Sequence, residues 1–280
     1  MASEPPVEDP IETNRSPLDI KLLLSDGIEG VLSVTGGQLV AVLSVIGIVG
    51  TVLTQTLFAS VLESMLTYAR ENIETIDPEL QSAIAEAETL LDSMGLALDV
   101  SPIVALGGLV VVAVASEAVM IAGVRAFGDG ALDGVPTDLA TRRIAITTLF
   151  GFVGGIVLWI AIGIGLILLL VPGVFVYVGT IFFRQEVAIA DEGPLAAISA
   201  SWARTKGNRW TLLAIAVVLW IVGYVASFLG GFVPGLAGTV AGTVLSSVTG
   251  VFAMAVLTSA YVGLRNTERD HATDPASTRS

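Results

Sequence analysis

Apolar and polar residues are sorted along this chain into long blocks. Uncharged apolar runs such as LVAVLSVIGIVGTVLTQTLFASVL (39–62) alternate with polar segments rich in acid, Pro and Gly. About 20 apolar residues in helical form cross the hydrocarbon core of a bilayer. The blocks predict six spans, at about 39–62, 103–124, 144–170, 174–190, 210–229 and 236–264. The second is interrupted only by Glu117, and the fourth carries Arg184, Gln185 and Glu186. The fold class expected is all-α, a polytopic helical membrane bundle with amphipathic surface helices.

The polar blocks have their own patterns. Residues 1–16 are acidic and Pro-rich and predict a disordered tail; no apolar core follows a basic start, so they do not predict a signal peptide. Ser16 as N-cap, Pro17 at the first position and Asp19 at the third predict a short helix with Leu24, Ile28 and Leu32 on one face, lying on the membrane or leading into the first span. Residues 63–102 hold nine acids and one base, Arg70. Within them Asp77–Pro78 starts a helix with an apolar stripe of Leu80, Ile84 and Leu91, and Gly95 ends it. Val171, Pro172 and Gly173 predict a sharp turn between the third and fourth spans. Pro194 opens an amphipathic helix over 194–207 with Leu195, Ile198 and Trp202 on one face. Residues 265–280 predict a second disordered tail.

Composition narrows the chemistry. The chain is 54% hydrophobic and 14% charged, with a net charge of −13, whereas soluble domains carry about 25% charged residues. Cysteine is absent and His271 is the single histidine, so disulfides, thiol catalysis and histidine-based metal sites are excluded. Two lysines stand against eleven arginines. An acidic, Lys-poor surface stays hydrated and self-repelling in concentrated salt, which points to a salt-loving source.

The bases also predict orientation. With six spans, the amino tail, the 125–143 and 204–209 connections and the carboxyl tail share one face and hold eleven Lys and Arg residues, against Arg70 alone on the other. Both termini are therefore expected in the cytoplasm and the acidic 63–102 segment outside.

Ionisable groups inside spans are the sharpest site signal, because each costs about 2.5–3.5 kcal/mol on insertion scales. At a rise of ~1.5 Å per residue, Glu117 lies about 21 Å and Arg184 about 18 Å from the outer ends of their spans. That depth predicts a Glu117–Arg184 pair with Glu186 nearby, either structural or part of a substrate or proton path. Gly238, Gly242, Ser246 and Gly250 recur every four residues in the last span, a small-residue stripe that allows close helix packing, within the chain or in a homo-oligomer. Trp202, Trp210, Arg204, Lys206 and Arg209 suit a headgroup region, as an anchor or as a lipid-recognition patch.

The stretch 166–213 carries a further pattern: a Pro172–Gly173 turn, an apolar returning helix, an Asp191–Glu192–Gly193 break, and an Ala197, Ser201, Trp202, Lys206, Gly207, Asn208 segment. It resembles a family of haloarchaeal integral membrane proteins of uncharacterised role, similar in turn to the membrane domain attached to some glycerophosphodiester phosphodiesterases. The resemblance implies a membrane fold. It does not imply the phosphodiester reaction, whose histidine and acidic residues have no counterpart here.

No phosphate-binding loop, nucleophile elbow or calcium-loop series occurs, so no cofactor and no metal are expected, and no basic patch supports nucleic-acid binding. The sequence therefore favours a non-enzymatic envelope protein that scaffolds or binds membrane lipids or a membrane-protein partner. A transporter or permease component is the alternative.

Overall fold

A computed structural model describes residues 18–72, 77–233 and 235–273. All its regular elements are helices: α1 (Ile20–Leu32), α2 (Val34–Asn72), α3 (Pro78–Ser93), α4 (Pro102–Gly128), α5 (Thr137–Thr141), α6 (Ile144–Leu168), α7 (Leu170–Gly179), α8 (Phe183–Ile189), α9 (Pro194–Arg204), α10 (Arg209–Gly230) and α11 (Gly235–Thr273). Six stretches are long and apolar enough to cross a membrane, namely α2, α4, α6, α7 with α8, α10 and α11. Many large apolar side chains face outward on them, among them Trp159, Ile167 and Trp220. In water such a surface would aggregate; in lipid it is solvated. The chain is an all-α, multi-pass membrane protein.

The centre is a bundle in which α11 packs against α1, α2, α4 and α10, and α2 packs along α4. Small residues set the close approaches. A Cβ on Gly108 would meet Leu53 at 2.8 Å, and one on Gly47 would meet Thr243 at 2.8 Å. Dispersion from such contacts replaces the hydrophobic drive that is missing between helices in lipid.

Several expectations need correction. Asp19 is the N-cap of α1, its carboxylate accepting from the Lys21 and Leu22 amides at 2.9 and 3.4 Å, so it does not stand at the third helical position. Ser16 and Pro17 lie outside the described residues, as does the whole predicted tail 1–16. The buried face of α1 is Leu23, Gly27 and Gly30, while Ile28 and Leu32 point away. Glycine decides the face because a Cβ at Gly27 would sit 2.4 Å from Val256, so α1 docks on α11 along its smallest side. The turn between α6 and α7 falls on Leu169, which is extended (φ −159°, ψ 130°). Pro172 sits in the first turn of α7, where a missing N–H costs nothing. The fourth apolar stretch is two helices, not one. Helix α11 continues through Thr273, well into the segment 265–280 expected to be disordered, because Arg204 holds Glu268 at 2.5 Å; residues 274–280 lie outside the described residues.

The acidic segment follows its pattern more closely. Asp77 caps α3 through the Leu80 amide at 2.8 Å. Leu80, Ile84 and Leu91 are half-buried, and Arg70 of α2 pairs with Glu88.

Candidate functional site

The charged groups of the membrane domain gather where α8 meets α4, α9 and α11. The assembly starts from an interruption at Thr180–Phe182, between α7 and α8. A broken helix exposes backbone groups that lipid cannot satisfy. Helix α9 supplies the partners. Ser201 Oγ accepts from the Phe182 amide at 3.2 Å and donates to the Gly179 carbonyl at 3.1 Å. Thr205 Oγ1 donates to the same carbonyl at 3.3 Å. Trp202 packs against Gly179, where a Cβ would be 2.4 Å from its ring. Ala197, Ser201 and Thr205 are fully buried. Helix α9 is thus a packed strut rather than a helix resting on the lipid surface by Leu195, Ile198 and Trp202; Leu195 is 81% exposed.

Helix α8 then sends three side chains in different directions. Arg184 donates from Nε and Nη2 to the two carboxylate oxygens of Glu117, at 3.1 and 2.9 Å. The Glu117 side chain is accommodated by Gly151 of α6, where a Cβ would be 2.5 Å from its oxygen. Glu186 does not join this pair. It accepts from Arg204 Nε at 2.8 Å and from the Tyr261 hydroxyl at 3.0 Å, and it is 1% exposed. The expected cluster of Glu117, Arg184 and Glu186 is two separate links, because residues two apart on a helix point about 200° from each other. Arg204 also lies over the Tyr261 ring at 4.8 Å. Burial works against its charge, but its hydrogen bond to Glu186 and the field of that carboxylate outweigh this and raise its pKa above the ordinary arginine value.

A third link escaped the sequence reading. Arg125, assigned there to a cytoplasmic connection, is 3% exposed. It donates to the carbonyls of Ala188, Leu139 and Arg142 at 2.7, 3.2 and 2.5 Å, to Thr147 Oγ1 at 3.1 Å and to Asp191 at 3.1 Å. Arg142 reaches the other Asp191 oxygen at 3.0 Å. Asp191 has φ 56°, a left-handed conformation unusual outside glycine, which turns the chain from α8 towards α9. The only sequence signal was the placement of Arg125 at the end of an apolar run and of Asp191 in the acidic break.

Arg209 is different. It opens α10, and its guanidinium stacks 4.4 Å from both the Phe175 and Trp202 rings. Among the described residues it has no carboxylate partner; its Nε is buried without a hydrogen bond, and Nη2 makes a long contact of 3.4 Å to the Trp202 carbonyl. It stands at an apolar cleft of about 360 Å³ between α7 and α10, walled by Leu170, Val171, Val174, Phe175, Val178, Trp210 and Leu213.

The remaining sequence-predicted positions fall in two places. Gly173 meets α6 so closely that a Cβ would lie 2.6 Å from the Leu166 amide. Gly207 has φ 90° and, with Asn208, forms the turn from α9 to α10, while Lys206 is exposed. Gly238, Gly242, Ser246 and Gly250 line an open groove of about 860 Å³ between α2, α10 and α11, together with Gly47, Thr51 and Thr243. Two of the four make tight approaches: a Cβ on Gly238 would overlap the Val233 carbonyl, and one on Gly230 would lie 2.9 Å from the Gly242 Cα. Among the described residues no group of three His, Cys, Asp or Glu side chains could hold a metal ion.

No curated protein and no solved structure matches this chain. A family match does cover residues 18–264, which takes in every element from α1 to most of α11 and all the links above except Glu268. The chain belongs to the family described as a domain of unknown function, DUF7847.

Proposed function

We propose that this protein is a non-enzymatic component of the cell membrane, with both termini cytoplasmic, that binds anionic lipid and so acts as a lipid-holding scaffold. The observation that carries this reading is the cleft between α7 and α10. Its walls are aliphatic and aromatic, and a single arginine, without a carboxylate partner among the described residues, stands at its edge. Acyl chains suit the walls, and a phosphate-bearing headgroup suits Arg209, whose planar fork matches phosphate geometry. Trp210, 85% exposed, belongs at headgroup depth. The likeness to a membrane domain attached to lipid-related phosphodiesterases is compatible with lipid contact and lends no activity.

The test is native mass spectrometry of the protein extracted from vesicles containing equal anionic and zwitterionic lipid. Retained anionic lipid should fall severalfold in Arg209→Gln, with helical content and monodispersity unchanged. Equal retention by parent and variant would remove the proposal.

One observation favours a transport role instead: the groove containing the Gly238–Gly250 stripe is wide and lined by hydroxyls. Three of those hydroxyls are engaged within their own helices, however. Thr51 donates to Gly47, Thr243 to Thr239 and Ser247 to Thr243 at 2.9, 2.8 and 3.0 Å. Solute flux into protein-bearing liposomes that depends on ions or membrane potential would favour transport over lipid holding.

A further inference from the structure

We infer that α6 and α7 form a re-entrant hairpin, which enters the membrane and returns on the Arg209 side, so that its apolar surface is covered by the acyl chains of that leaflet alone. This is independent of the lipid site at Arg209.

Helix α10 provides the ruler. Its 22 residues span about 33 Å at the helical rise, which matches a hydrocarbon core of ~30 Å. Arg209 and Gly230 therefore mark opposite faces. A hairpin that crossed beside α10 would bring its tip at Leu169 towards Gly230. It does the reverse. Leu170 and Val171, next to the tip, share a cleft with Arg209 and Trp210. Phe175 lies under the Arg209 guanidinium at 4.4 Å. From Leu170 to Val178, α7 advances about 12 Å, yet across the cleft it faces residues 209–213 of α10, about 6 Å long, and Val178 at its far end clusters no further along than Ile215 among the buried residues of α10. Helix α7 thus lies across α10 and does not run along it.

Helix α8 agrees. Val178 and Phe182 pack in one cluster with Leu212 and Ile215 of α10 and with Val256 to Leu264 of α11, the part of α11 that pairs with the beginning of α10. Helix α6 must follow α7, because a Cβ on Gly165 would sit 2.8 Å from the Gly173 Cα. The tip is solvated only by lipid: Ile167, Leu168, Leu169, Leu170 and Val171 are 67–86% exposed, and no charge occurs between Arg143 and Arg184. Only α2, α4, α10 and α11 then cross. The two connections flanking the hairpin stay on one face in either arrangement, so the distribution of Lys and Arg is unchanged by it.

The cysteine-free chain allows a direct test. Leu169→Cys, Lys206→Cys and Phe232→Cys are each labelled with a nitrobenzoxadiazole maleimide and reconstituted in sealed vesicles of one protein orientation. Dithionite, which does not cross the bilayer, is added outside. Lys206 and Phe232, at opposite ends of α10, must give opposite outcomes. The label at Leu169 should follow that at Lys206, bleached or protected with it. If it follows Phe232, the hairpin crosses and the inference is overturned. Ile167→Cys, at an 86% exposed position, replaces Leu169→Cys should the latter not reconstitute.

Discussion

Replacing Arg204 by Met isolates the worth of the most buried link. Glu186 is 1% exposed, and its two polar partners are Arg204 Nε at 2.8 Å and the Tyr261 hydroxyl at 3.0 Å. Arg204→Met leaves the carboxylate with only the hydroxyl. Removing one partner of a buried ion pair costs about 3–5 kcal/mol, since the other charge stays desolvated. The second link of Arg204, to a Glu268 side chain that is 56% exposed, adds no more than about 1 kcal/mol. Tyr261→Phe removes a hydrogen bond to a charged acceptor and should cost about 1.5–3 kcal/mol. The decisive comparison is the double variant Glu186→Leu with Arg204→Met, which removes both charges and keeps apolar volume. It should be milder than Arg204→Met alone by 2 kcal/mol or more, on the order seen when buried pairs give way to apolar residues. Unfolding in mixed micelles, followed by tryptophan fluorescence, measures the differences. If Arg204→Met costs under about 1 kcal/mol, or the double variant is no milder, the link is solvated and the reasoning fails.

Exchanging Glu117→Arg and Arg184→Glu together should recover most of the stability lost in either single variant, read by the same unfolding; no recovery would mean that Gly151 and the surrounding helices fix the polarity of the pair. Ser201→Ala leaves the Phe182 amide and one Gly179 contact unmet, and should cost about 1–3 kcal/mol, with faster hydrogen exchange confined to Gly179–Phe183. Gly179→Leu should displace Trp202, seen as a shift of its emission and loss of the folded peak in gel filtration. Asp191→Asn keeps the turn-forming side chain but removes the carboxylate charge that Arg125 and Arg142 share, so it should destabilise more than Asp19→Ala, whose lost cap is worth about 1 kcal/mol.

Spans and surfaces were legible in the sequence to different depths, for physical reasons. Hydropathy integrates over twenty residues, so the positions of the apolar helices emerge even where ends are misplaced by several residues. Faces do not emerge so easily. On α1 the eye follows Leu24, Ile28 and Leu32, but in lipid an apolar stripe carries no instruction to be buried, while Gly27 and Gly30 do, through the closeness they permit. Glu117 and Arg184 stood out because a charge in hydrocarbon demands a partner. Arg125 did not, since a base at the end of a span looks like any interfacial base until the 129–143 segment folds over it. The transverse course of α7 was invisible to composition, because a residue that faces one leaflet and a residue that crosses both are equally apolar.

The charges around α8 can be counted, and the count separates two roles. Glu117, Glu186, Asp191 and Glu268 face Arg184, Arg204, Arg125 and Arg142, each acid within 3.1 Å of an arginine. Four negative charges meet four positive ones in a chain whose net charge is −13. A proton or cation path needs a carboxylate that is free to change partners, and the two enclosed ones, Glu117 and Glu186, are each held by an arginine. Their effect is mechanical: α8 has seven residues, too few to persist as a helix alone, and these links with α8 and its flanks tie it to α4, α9 and α11. Neutralised in this way, the layer exerts little pull on a charged ligand. Arg209 is stacked on two rings and, among the described residues, has no acid opposite, so its positive charge stands beside an apolar cleft, and this is the pairing on which the proposed anionic-lipid site rests.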